Sequence, residues 1–221
     1  ITARCPDTGQ LGIAISSSSI AVGARCPWLL PGVGAVSTQN ITLPSLGPDT
    51  LALMEQGLAP AEALDKVLTR NGYSQYRQIT AIDHLGRTAH FSGAQTLGTH
   101  NAVSGEHCVA AGNMLAERSV IEAMVEAFEH GEGQLADRLL AAMHAAIAAG
   151  GEAGPVHSAA MVVVGELTWP IINLRVDWAD EDPIGQLQKL WDAYRPQVQD
   201  YIDRALAPDK SPGYGVAGDE R

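Results

Sequence analysis

The sequence predicts an α+β fold of four layers, αββα, with two antiparallel sheets face to face and helices outside. Three observations predict it. The elements come in blocks: strands, two helices, strands, two helices, strands, one helix. That order lacks the regular strand-helix alternation of a doubly wound parallel sheet. The strand runs carry little charge, as expected of strands covered on both faces. The helical segments carry one apolar face each, as expected of helices laid on a sheet.

The first forty residues read as strands. Leu11 to Ser16 follows a Pro6-Asp7-Thr8-Gly9 turn and alternates around Gly12 and Ala14. Ser19 to Arg25 and Val33 to Thr38 are two further short apolar runs, the second preceded by Pro31-Gly32. Asp49 then caps a helix that stops at Gly57. Pro60 suits the first turn of the next helix, which carries Leu64, Val67 and Leu68 on one face and ends at Asn71-Gly72. Arg77 to Asp83, the turn His84-Leu85-Gly86 and Arg87 to Phe91 form a hairpin. His107 to Ala111 is another strand.

Two helices follow. Ile121, Met124, Val125 and Phe128 fall at helical spacing, as do Leu135, Leu139, Met143 and Ile147, and Gly150-Gly151 ends the second. Ala159 to Val164 and Ile171 to Val176 pair through a turn near Gly165-Glu166. A last helix spans about Pro183 to Ala205. The spacing thus predicts one domain over residues 1–206. Residues 207–221, rich in Pro, Gly, Asp and Lys without apolar period, read as a disordered tail.

Composition narrows the function. The 221 residues are 46% hydrophobic and 18% charged, a globular, core-forming balance. A net charge of -11 argues against a nucleic-acid partner, whose phosphates would be repelled. No apolar run approaches the ~20 residues needed to span a bilayer, so no membrane partner is expected. Cys5, Cys26 and Cys108 are widely spaced and read as reduced thiols of a cytoplasmic protein. The sequence opens at Ile1, which is not a normal translation start. Residues ahead of it, or their removal by processing, are therefore expected.

Familiar chemical motifs are missing. Ser158 lacks the flanking glycines of a nucleophile elbow, and neither a Walker loop nor an H-E-x-x-H pair occurs. Gly32 and Gly34 start a dinucleotide fingerprint, but Ser37 stands where its third glycine belongs. His84, His90, His100 and His107 lie in one region without helical i, i+4 spacing, so scattered histidines are preferred to a metal site. No cofactor is expected.

Weaker polar signals remain, each with a structural alternative. Ser16 to Ser19 is either a serine-satisfied turn or part of a site, and Ser17 is the candidate from it. The stretch Gly32 to Asn40 is apolar until it ends in Ser37, Thr38, Gln39 and Asn40. Arg77 either binds a carboxylate or covers a sheet edge, the second being simpler. Asn113 is either a helix cap or an anion-site element, capping being simpler. His157 and Ser158 sit at a strand entry, where neighbouring side chains point to opposite faces and cannot pair as base and nucleophile.

The segments "ITARCPDTGQLGIAIS", "AVGARCPW", "GVGAVSTQ", "YRQIT" with Asp83 and Gly86, "FSG", "GNML", "HSAAMVVV" and "LRVDWADEDPIGQL" occur in order from Ile1 to about Tyr194. Together they resemble a bacterial and archaeal family, a domain of unknown function, placed in the N-terminal-nucleophile (Ntn) hydrolase superfamily. The resemblance implies the same αββα sandwich. It further implies amide hydrolysis by an N-terminal Thr, Ser or Cys whose own α-amine serves as base. Family members often carry such a residue just before the position of Ile1. This sequence departs from relatives in places: no Lys precedes Lys66, Ser18 replaces a basic residue, and Gly154-Pro155-Val156-His157 replaces a more basic segment. Cys5 stands at a usually acidic position and is not nominated as nucleophile.

The resulting expectation is an Ntn-type hydrolase of a small linear amide or other C–N bond, its nucleophile just upstream of Ile1. Ser17, Gln39, Asn40, Arg77, Asn113, His157 and Ser158 are the candidates to bind substrate, with the amides of Gln39 and Asn40 holding a carbonyl. A neutral or mildly anionic small molecule is the expected substrate. The protein is expected to be a homo-oligomer, a reading motivated by its Trp-containing last helix, the alternative being that this helix packs wholly on its own domain. The alternatives are a non-catalytic small-molecule-binding protein that keeps the fold, and a metal-dependent hydrolase using His84 to His107.

Overall fold

The computed structural model describes residues 1–219. It is an α+β sandwich of four layers, with two antiparallel sheets between helical layers. In chain order the elements are β1 (Thr2–Arg4), β2 (Leu11–Ser17), β3 (Pro27–Leu30), β4 (Gly34–Asn40), α1 (Leu46–Glu55), α2 (Pro60–Thr69), β5 (Arg77–Asp83), β6 (Thr88–Ser92), β7 (Thr99–Gly105) and β8 (Cys108–Leu115). Then come α3 (Ser119–Glu129), α4 (Leu135–Ala148), β9 (Ser158–Val164), β10 (Ile172–Val176), α5 (Pro183–Tyr194) and α6 (Val198–Leu206).

One sheet has the order β10-β9-β2-β1-β8-β7 and the other β3-β4-β5-β6. Strand alternation divides each strand between two layers. In β2, Leu11 and Ile13 meet Ala35 and Ile82 of the second sheet, whereas Ala14 joins the core beneath the helices. Gly12 allows close packing of α4 on the sheet. A Cβ there would lie 2.7 Å from Leu139 Cδ1 of α4. On the opposite side, Val36, Ile79 and Ala81 pack against Leu51, Leu64, Val67 and Leu68 of α1 and α2. Fully burying a side chain such as Ile79 or Leu139 stabilises the fold by about 1.5–3 kcal/mol.

Polar residues also bridge the sheets. The hydroxyls of Thr2 and Thr80 lie 2.8 Å apart, both buried. The β5–β6 hairpin is closed by Asp83, whose carboxylate accepts from the N–H groups of Leu85 (3.0 Å) and Arg87 (2.9 Å) and from Arg87 Nε (2.6 Å).

Several elements differ from the sequence-based expectation. Ser19 to Arg25 is not a strand. Ala21 is left-handed (φ 53) and Val22–Ala24 is a 3-10 turn. The buried Ser158 hydroxyl holds this turn, donating to Ser19 O (2.6 Å) and accepting from Val22 N–H (3.2 Å). Helix α1 starts at Leu46, ahead of Asp49, which lies in its first turn, where a negative charge complements the helix dipole. Strand β8 runs on to Leu115, so Asn113 lies within a strand and caps no helix. The expected last helix is broken near Pro196, which cannot supply an N–H, and α6 is a separate segment.

After Leu206 no helix or strand follows among the described residues, although Arg204 donates to the carbonyls of Pro212 and Gly213, both at 3.0 Å. Residues 220–221 of the expected tail lie outside the described residues. Among the described residues no helix is long and apolar enough to cross a membrane.

Candidate functional site

A cavity of about 370 Å³ opens at the start of β1. Its position follows from strand lengths. β1 is short and central in its sheet, between β2 and β8, both of which run further. Ile1 exchanges hydrogen bonds with Ala14, its N–H donating at 2.9 Å and its carbonyl accepting at 3.0 Å. Beyond that pair, Ile15 and Ser16 of β2 face Ala111 and Gly112 of β8 across the cavity floor.

The walls differ in chemistry. One is apolar and buried: Val120, Ile121 and Met124 from α3, Met143 and Ala146 from α4. The other carries Ser17, Ser19, Gln39, Asn40, Asn113 and Glu152. Glu152 is brought in by the Gly150-Gly151 turn, whose two residues have φ 115 and 60, a region that favours glycine. The loop is then clamped to the end of β8 by Ala116 N–H on Gly151 O (3.0 Å) and Ala153 N–H on Met114 O (2.8 Å). The Glu152 carboxylate accepts long bonds from Ser18 N–H at 3.3 and 3.4 Å. Burial pushes its carboxyl above the usual 4.5, with the Ser18 bonds opposing.

Beneath the polar wall lies Gln78, fully buried between the sheets. Its Oε1 accepts from Gln39 Nε2 (2.9 Å) and Asn113 Nδ2 (3.1 Å), and its Nε2 donates to Ser92 Oγ and Gly112 O, each at 3.0 Å. Gln39 Nε2 also donates to Ala111 O at 3.0 Å. Both N–H groups of Gln39 are therefore engaged inside the protein. Asn113 differs. Among the described residues its second N–H and its Oδ1 make no hydrogen bond, and the residue lines the cavity.

Of the residues predicted from the sequence, the structure brings Ser17, Gln39, Asn40 and Asn113 to this cavity. Asn40 is also structural: left-handed at φ 70, it accepts from Leu97 N–H (3.2 Å) and donates to Tyr76 O (2.6 Å). Arg77, His157 and Ser158 are not in its lining. Buried Arg77 donates to Ile41 O. His157 stacks on Trp178 with ring centroids 4.3 Å apart, its Nδ1 2.8 Å from Ala179 O. Ser158 is committed to the turn described above.

Sequence reasoning missed Gln78, Glu152 and Arg25. A signal for Gln78 existed. Asn40 pairs with Arg77 and Gln39 with Gln78, and paired residues share a face, so Gln78 accompanies Gln39. Glu152 sits in a loop without period, and Arg25 ends a run that reads as a strand but folds as a turn. Cys26 lines the cavity with its thiol pushed up by burial. Cys108 lies beneath α3, pushed up to about 11 by burial. All three cysteines are free. Among the described residues no group of three or more His, Cys, Asp or Glu side chains is placed to hold a metal ion.

The crystal structure of SPO2555 from Silicibacter pomeroyi, a DUF1028 protein, is 32% identical, with a TM-score of 0.85 over 90% of this chain and 87% of that one. Two structures of Anbu, the ancestral beta-subunit, are more distant. That from Yersinia bercovieri is 9% identical (TM-score 0.42; 97% and 98% covered), and a Gly-1 mutant from Hyphomicrobium sp. strain MC1 is 12% identical (0.37; 91% and 97%). No curated protein matches the chain. Residues 1–187 match the family of unknown function DUF1028, and the chain belongs to that family.

Proposed function

We propose that the chain hydrolyses a small linear amide or related C–N bond by an Ntn-type mechanism, with the nucleophile on a residue joined ahead of Ile1. One observation carries the reading: the cavity opens where β1 begins, between the continuing edges of β2 and β8. A residue bonded to Ile1 and keeping the register of β1 would lie between Ile15 and Ala111. Its side chain and α-amine would then share the cavity with substrate.

The chemistry is that of an amine-activated hydroxyl or thiol. The α-amine takes the nucleophile's proton as the nucleophile attacks the carbonyl carbon. The C–N bond breaks and the proton passes to the leaving amine. Water, activated by the same amine, then cleaves the acyl intermediate and releases the acid. Asn113 supports the oxyanion through the N–H of Nδ2 that Gln78 does not engage. Gln39, with both N–H groups engaged, holds the wall and not the carbonyl.

The acidity of the chain fits a small-molecule substrate better than a nucleic acid. A second reading, a binding protein that keeps the fold without catalysis, is favoured by the engagement of Gln39. Mass spectrometry of the mature N-terminus tests the choice. An exposed Thr, Ser or Cys supports catalysis, and a retained Met or inert residue supports binding alone.

A further inference from the structure

The cavity's charge is sparse and unevenly matched. Only Arg25 and Glu152 among its lining side chains are charged, and they form no ion pair with each other among the described residues. Arg25 is occupied locally, its guanidinium donating to the carbonyls of Ile20 and Ala21. Among the described residues Glu152 has no cationic partner; its carboxylate is met by Ser18 alone, through the side chain and through one N–H shared between its two oxygens at 3.3 and 3.4 Å. A half-buried carboxylate with neutral partners and no cation gains from a cation that arrives with a ligand.

The surroundings define the rest of that ligand. The loop carrying Glu152 abuts α4, since a Cβ on Gly151 would lie 3.2 Å from Ile147 Cδ1. Past Ile147 the wall is the buried apolar face of Met143, Ile121 and Met124. A charged group is thus held next to an apolar recess. At about 370 Å³ the space suits a molecule of amino-acid size or somewhat larger.

We propose that Glu152 recognises a primary ammonium group on the substrate, and that the substrate class is the amide of an apolar α-amino acid. This rests on the hydrolase reading of the same cavity. The ammonium pairs with Glu152, the apolar side chain enters the recess between α3 and α4, and the amide carbonyl faces Asn113. Hydrolysis adds water across the C–N bond, giving the free amino acid and an amine. This proposal favours a cationic substrate over the neutral or mildly anionic one expected from the sequence, where nothing marks Glu152 as a cavity residue.

The test separates recognition from turnover. Three probes sharing one branched carbon skeleton, 3-methylbutylammonium, 3-methylbutanol and 3-methylbutanoate, are titrated into the full chain at neutral pH by calorimetry. Saturable binding of the ammonium alone is expected, weakened about ten-fold or more in Glu152→Gln. Thermal melting of the variant verifies that it folds, and Glu152→Asp should retain part of the affinity. Preference for the carboxylate or alcohol, or undiminished ammonium binding by folded Glu152→Gln, overturns the assignment. Ammonium binding without ammonia release from leucinamide upholds the assignment and counts against the hydrolase reading. Hydrolysis of neutral 3-methylbutanamide without ammonium binding does the reverse.

Discussion

Replacing Gln78 by Leu should damage the fold and the cavity together. The side chain is fully buried and makes four hydrogen bonds of 2.9–3.1 Å to Gln39, Asn113, Ser92 and Gly112. Leucine is of similar volume, so the effect is mostly polar. All four partner residues are half-buried, and Gln39, Gly112 and Asn113 line the cavity, so water can replace part of each lost bond. At about 0.5–1 kcal/mol net for each of the four bonds, the loss is roughly 2–4 kcal/mol. For a chain of this size that lowers Tm by roughly 5–15 °C. Urea denaturation of the full chain reads the loss, and the cycle with Gln39→Leu reads the coupling, expected above about 1 kcal/mol. A loss below about 0.5 kcal/mol, or no coupling to Gln39, would refute the network as the support of the cavity wall.

Two further outcomes follow from the packing and the charge. Gly47→Ala sits in α1, where the substitution alone favours helix by up to about 1 kcal/mol. Its Cβ would lie 2.2 Å from Trp28 Cδ1, however, and overpacking of about 1–3 kcal/mol makes the variant less stable in thermal melts, with recovery in the Trp28→Leu background. Glu152→Gln should be more stable than the parent at pH 7 and equal to it below pH 4. Its folded carboxyl is raised above 4.5, so the folded state binds more protons than the unfolded state between the two values. The parent therefore loses stability as pH rises through that window, and the amide, which does not titrate, does not. Paired pH–stability curves that stay parallel would contradict the burial of this carboxylate.

Much of the fold was legible because local signals agreed with tertiary demands. Helix α2 shows its Pro60 start and its apolar stripe, and the β5–β6 hairpin its turn. β9 and β10 show as charge-poor runs. The failures came where distant residues decide. Ala21 turns left-handed because Ser158, far along the chain, holds Ser19 and Val22. Strand β7, Thr-His-Asn-Ala-Val-Ser-Gly, is an edge strand, where polar residues blur the alternation. The site was half legible. Ser17 in its serine run, Gln39 and Asn40 at a strand exit, and Asn113 after a strand all stand out in the sequence as polar candidates, and they reach one cavity. His157 and Ser158 looked chemical but serve a stacking contact and a turn. Glu152 looked like ordinary loop acidity, because only the Gly150-Gly151 geometry and the clamp to β8 turn it inward.

The most direct test is to trap the acyl intermediate. The mature full-length protein is treated with a β-lactone, and the modified residue is located by peptide mass spectrometry. A single adduct on the residue bonded to Ile1, lost when Asn113→Ala removes the oxyanion donor, is the predicted result. No adduct, or one confined to Cys5 or another side chain outside the cavity, would contradict an Ntn-type hydrolase.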